Sequence, residues 1–133
     1  MAGPAAPQRP LSPHLQIWRW HVTMASSILH RATGVALYVC LALFVVWLAA
    51  LAMGGEAYAW IDALFHSWFG QLKLYGAFGV LAYHWANGLR HLLLDSGRLF
   101  ELKAANSSAW YAILFAFIAP AALWAVLNFG GLS

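Results

Sequence analysis

Three stretches without an aspartate, glutamate, lysine or arginine decide most of what this chain can become: Ala32–Gly55, Leu74–Leu89 and Ala104–Ser133. Crossing the hydrocarbon of a bilayer takes about 20 largely apolar residues, with about 17 as the lower limit. The first and third stretches meet that length. The middle one is short between Lys73 and Arg90, but both long side chains can reach toward the headgroups and extend it. Of the 133 residues 63% are hydrophobic and only 8% charged, where a soluble domain carries roughly a quarter. The fold class is therefore all-α, an integral membrane protein with three transmembrane helices. Three helices make a thin bundle, so a partner polypeptide is expected to complete it.

The chain divides at its charges and glycines. Residues 1–21 form an N-terminal segment rich in Ala and Pro, too polar for a span and without the apolar core of a signal peptide. Its second half, with Trp18 and Trp20 beside Arg19, suits the inner interface. Transmembrane helix I covers 22–53 and ends at Gly54–Gly55. An outer loop with an interfacial helix, rich in aromatics and holding a solvated His66, covers 54–71. Helix II covers 72–97, an inner loop 98–107, and helix III with a short outer tail 108–133, where Ser107 or Ser108 can cap the helix. Arg9, Arg19, Arg31, Arg90, Arg98 and Lys103 gather at one side and only Lys73 at the other. The positive-inside rule then puts the N-terminus in the cytoplasm, or the matrix of a mitochondrion, and the C-terminus outside. The net charge of +3 thus reports topology rather than nucleic-acid binding. Cys40 is the single cysteine, which excludes an internal disulfide and leaves it a packing residue.

Two polar stripes interrupt this apolar background. Along helix II, His84, Gly88, His91 and Asp95 fall within about 60° of one another on one helical face. Gly88 lies one turn from His84, so the backbone there is a flat recess beside an imidazole, as a planar cofactor bound through that nitrogen requires. The same residues also suit a histidine bonded to a neighbouring helix and a glycine that permits close packing. Along helix I, Thr23, Ser27, His30, Arg31 and Gly34 share a face, and Ser27 and Arg31 are i, i+4 neighbours. Arg31 either snorkels to the headgroups or serves a site, and a snorkelling arginine needs neither Ser27 nor His30 beside it.

Depth ties the stripes together. His84 is roughly 9 Å above Arg90 along the helix axis, inside the hydrocarbon, and His30 and Arg31 enter from the same side at a similar level. An imidazole in apolar surroundings with a cation nearby suits a b-type haem whose propionates meet Arg31 and His30. An electron-transfer haem needs axial ligands on opposite faces. His84 and His91 share a face about 10 Å apart. His30 can in principle reach across from helix I, but it lies close to the polar boundary beside Arg31, so the second ligand is expected from another polypeptide. His91 is either a propionate contact or a plain interfacial histidine. Asp95 is either solvated, or paired with Arg31, or part of a proton path.

Taken together, RPLSPHLQIWRW, SILHRATG and HWANGLRHLLLD resemble the cytochrome b556 subunit family of succinate dehydrogenase, the larger membrane anchor of respiratory complex II. The resemblance runs from about Arg9 to Asp95 and rests on separate stretches in the expected order. It implies that Ser27 and Arg31 bind the head group of ubiquinone, that His84 is an axial ligand of haem b, and that His30 lies near the propionates. It further implies that a smaller anchor subunit supplies the other ligand. FAD and iron–sulfur clusters would sit on a flavoprotein subunit and an iron–sulfur subunit, with no succinate site on this chain. As a quinone carbonyl is reduced it gains negative charge and then a proton, and the fixed charge of Arg31 and the hydroxyl of Ser27 suit that oxygen. Trp18 stands where the family often has Tyr. The rivals are an anchor subunit of a related fumarate reductase and a small proton-conducting subunit in which His84, His91 and Asp95 relay protons.

Overall fold

A computed structural model describes residues 18–130, and within them the chain is entirely helical apart from short connections. The N-terminal segment before Trp18, Arg9 included, and the last three residues of the outer tail lie outside the described residues. Four helices follow in order: α1 (Val22–Met53), α2 (Gly55–His66), α3 (Trp68–Asp95) and α4 (Leu102–Phe129). α1 and α4 are each long and apolar enough to cross a membrane. α3 is equally long, but its buried polar residues make it less apolar.

The breaks follow local chemistry. α1 stops where Gly54 and Gly55 take φ of 64° and 62°, a left-handed conformation that glycine adopts without strain. The short α2 ends at Ser67, whose Oγ accepts the Gly70 N–H at 3.1 Å and donates to the Leu64 carbonyl at 2.6 Å, so one serine closes α2 and caps α3. His66 is exposed and within 3.5 Å of Asp62. α3 ends at Asp95, and Gly97 takes φ 82° in the turn that follows.

α4 begins at Leu102 rather than near Ser107. Lys103, Ala104 and Ala105 are good helix formers, and the helix extends back through them. Ser107 and Ser108 are therefore not caps. Their hydroxyls donate to the carbonyls of Lys103 (2.8 Å) and Ala105 (3.0 Å) inside the helix.

α3 is central, packed against both α1 and α4. Against α4 the approach is close: a Cβ on Gly79 would lie 2.9 Å from the Ala116 carbonyl oxygen and 3.8 Å from Pro120 Cγ. Small residues at such a crossing are how helices associate without a hydrophobic drive between them. Gly79→Ala gains about 1 kcal/mol of helix propensity but forces a methyl into a backbone oxygen that no rotamer change can move. A net loss of about 1–2 kcal/mol is expected, read as a lower thermal midpoint in detergent.

α1 and α3 are joined by polar contacts. Tyr83, Asn87 and Arg90 form a second stripe on α3, beside the histidine stripe, and all three are buried. Ser26 Oγ donates to Asn87 Oδ1 at 2.6 Å, and the Tyr83 hydroxyl donates to the Ser26 carbonyl at 2.8 Å. Each such bond is worth about 0.6 kcal/mol between membrane helices, and their larger effect is to fix the rotation of α1 against α3. Arg90 does not reach out to headgroups. It is 5% exposed, and its Nε donates to Ser108 Oγ (3.0 Å) and a terminal nitrogen to the Ala105 carbonyl (3.2 Å). Those acceptors lie in the first turns of α4, so Arg90 clamps α4 to α3.

Candidate functional site

The α1–α3 rotation brings the two polar stripes into contact. The His30 and His84 rings are stacked, with centroids 4.0 Å apart and planes 13° apart. The His91 ring is 5.2 Å from that of His30 and tilted by 51°. His30 from α1 thus lies between the two α3 histidines. Among the described residues no three such side chains converge closely enough to chelate a bare metal ion.

Thr33 holds His84. Its hydroxyl donates to the His30 carbonyl at 2.9 Å, and its Oγ1 lies 3.1 Å from His84 Nδ1. Nε2, on the far side of the ring, has no hydrogen-bond partner among the described residues. Gly34 lets the same ring approach closely: a Cβ there would lie 3.2 Å from His84 Cε1, so a larger residue would require the imidazole to shift by a few tenths of an ångström. Gly88 borders His30 rather than His84. Its added Cβ would meet only His30 Cε1, at an ordinary 3.9 Å. The surface beside Gly88 is thus bordered by the His30 ring.

One turn along α1 from His30, Ser26 anchors the helix to Asn87, while Ser27 is half-buried and Arg31 exposed. Among the described residues neither Ser27 nor Arg31 has a hydrogen-bond or ion-pair partner. Asp95 is exposed at the end of α3 and makes no ion pair with Arg31. The buried Nδ1 of His30 and Nδ2 of Asn87 also lack partners, an expensive state for atoms removed from water.

The expected residues are therefore gathered unevenly. His30, His84, His91 and Gly88 form one cluster, Ser27 and Arg31 flank it on α1, and Asp95 stands apart. The sequence places Gly34 on the polar face of α1 but does not single out Thr33, Ser26 or Asn87, although it carries two signals for them. Thr33 is the i+3 neighbour of His30. Tyr83, Asn87 and Arg90 repeat at i, i+4, i+7.

A model of the succinate dehydrogenase/fumarate reductase transmembrane subunit matches residues 5–123. The succinate dehydrogenase cytochrome b556 subunit of Paracoccus denitrificans is 41% identical over 101 residues, covering 76% of this chain and 78% of that protein. The mitochondrial succinate dehydrogenase cytochrome b560 subunit of Sus scrofa is 35% identical over 122 residues, covering 89% of this chain and 71% of that one. The cytochrome b556 subunit of Rickettsia felis is 30% identical over 126 residues, covering 88% and 91%. With both signature stretches on facing helices and a family match across most of its length, this chain belongs to the succinate dehydrogenase/fumarate reductase transmembrane subunit family.

Proposed function

We propose that this chain is a membrane-anchor cytochrome b subunit of a succinate:quinone oxidoreductase, binding haem b jointly with a smaller anchor subunit and forming part of a ubiquinone-reduction site. The observation that carries the proposal is His84, an imidazole oriented through Nδ1 with Nε2 unpartnered. The donor set fits the cofactor. An imidazole nitrogen suits haem iron, the unpartnered buried Nδ1 of His30 suits a propionate oxygen, and His91 and Arg31 lie within the same turns. Gly88 keeps a side chain off the adjoining surface.

Haem supplies one-electron storage within the membrane when bound. Ser27 and Arg31 serve a different task. Neither has a partner among the described residues, which suits both to donating to a quinone carbonyl oxygen, and Arg31 balances the negative charge that oxygen acquires. Asp95, exposed near the same end, is a candidate proton donor to that site. The three-span layout, with α3 as the middle span, the N-terminus in the cytoplasm of a bacterial inner membrane (or facing the matrix of a mitochondrion), and completion of the bundle by the second anchor are parts of the same proposal. So are the flavoprotein and iron–sulfur subunits carrying FAD and the clusters. The family description also covers fumarate reductases, and the residues of this chain suit either direction of electron flow.

The deciding experiment is a dithionite-reduced minus oxidised spectrum of the purified complex. A b-type band is expected, and a colourless complex would reject the proposal. A sharper version uses Gly88→Ala. The new methyl meets only an ordinary contact in the chain and adds up to about 1 kcal/mol of helix propensity, so assembly should be normal. A lowered haem content or shifted band is expected. A wild-type spectrum would mean that the Gly88 surface does not face the cofactor.

A further inference from the structure

The geometry points to Thr33 as the positioning residue that sets the tautomer of His84, holding its proton on Nδ1 and leaving the lone pair on Nε2 for iron. The inference rests on the haem reading above.

A threonine hydroxyl carries one proton. In Thr33 that proton is engaged by the His30 carbonyl, 2.9 Å away on the same helix. This i−3 bond is one of the two stable placements of a threonine hydroxyl in a helix, so Oγ1 is fixed by its own backbone. Toward His84 Nδ1, 3.1 Å away, Oγ1 then presents only lone pairs. Two acceptors cannot bond, so Nδ1 must carry the hydrogen. A neutral imidazole with hydrogen on Nδ1 has its lone pair on Nε2. That is the form a metal-ligating histidine needs, and such ligands usually donate their other ring N–H to a nearby oxygen.

Gly34 completes the arrangement. With no Cβ at Gly34 the His84 ring can pack close to the α1 backbone, since an added Cβ would lie only 3.2 Å from His84 Cε1. The ligand on α3 is thus oriented by two adjacent residues of α1. The Ser26–Asn87 and Tyr83–Ser26 bonds keep the two helices in that register.

A hydrogen bond from Nδ1–H makes the imidazole a stronger electron donor and favours ferric over ferrous iron. Removing the acceptor should therefore raise the haem midpoint potential. The test uses the whole complex with Thr33→Val, which keeps the shape and removes the hydroxyl, and Thr33→Ser, which keeps the hydroxyl. Three quantities are compared with wild type: the b-type spectrum, the ferrous-to-ferric ratio at a fixed applied potential, and haem release to apomyoglobin. Retention of dye-linked succinate oxidation in the membrane fraction checks assembly.

Thr33→Val should raise the ferrous-to-ferric ratio about threefold to tenfold, tenfold being 59 mV for one electron. Haem release should rise about tenfold, and Thr33→Ser should stay near wild type. If Thr33→Val loses its haem outright while Thr33→Ser keeps a native band and potential, the inference also stands. It is overturned if Thr33→Val matches wild type in both potential and release, or if Thr33→Ser departs as far as Thr33→Val. A wild-type complex without a b-type band overturns the haem reading itself. A pigmented wild type with a silent Thr33→Val overturns only the role of Thr33.

Discussion

Replacing Arg31 with leucine is expected to lower quinone reduction by about 100-fold or more while leaving succinate oxidation by an artificial dye unchanged. The size follows from the loss of a charged donor in a site of low dielectric, where one preorganised hydrogen bond is worth about 10²–10³ in rate. The selectivity follows from position. Arg31 is exposed on α1, one helical turn from Ser27, and has no partner among the described residues. Its removal breaks no contact that holds the helices together. Arg90 is the contrasting arginine, buried against Ser108 and Ala105. Dye reduction that remains in the membrane fraction, rather than dye reduction alone, checks that the proposed soluble subunits are still docked. Quinone turnover at the wild-type rate in Arg31→Leu would refute the quinone role.

His84→Leu is expected to remove or alter the b-type absorbance. Leucine roughly preserves volume and apolarity, so α3 should still form and pack, but it offers no nitrogen. The His30 ring stands 4.0 Å from that of His84, and His91 lies 5.2 Å beyond His30. With a second imidazole so close, an altered band or potential is as consistent with ligation by His84 as complete loss. The measurement is the dithionite-reduced spectrum together with a redox titration. An unaltered band at an unaltered potential would reject His84 as ligand.

Much of this was legible in the sequence. The glycine pair at 54–55, the aromatic-rich α2 and the stripe of His84, Gly88, His91 and Asp95 all depend on residues near one another along the chain. Local rules of backbone freedom and helical period govern them. The direction of the Arg90 side chain is not legible, because a cation ending an apolar run has the same character in sequence whether it meets lipid headgroups or a hydroxyl on another helix. The start of α4 was placed late because two serines resemble a cap, yet their hydroxyls can equally well bond inside a helix that has already begun. The recess at Gly88 was legible as a missing side chain, whereas its bordering ring, His30, was not.

By itself, then, the sequence determined a membrane-embedded all-helical chain, the face of each helix that carries polar groups, and the family to which those groups belong. Only the tertiary structure decided which face meets which. Helical periodicity fixes angles about a single axis, whereas the rotation of α1 against α3 depends on bonds between residues about sixty positions apart, Ser26 with Asn87 and Tyr83. That rotation set Thr33 and Gly34 against His84 and gave one histidine of α3 a fixed orientation.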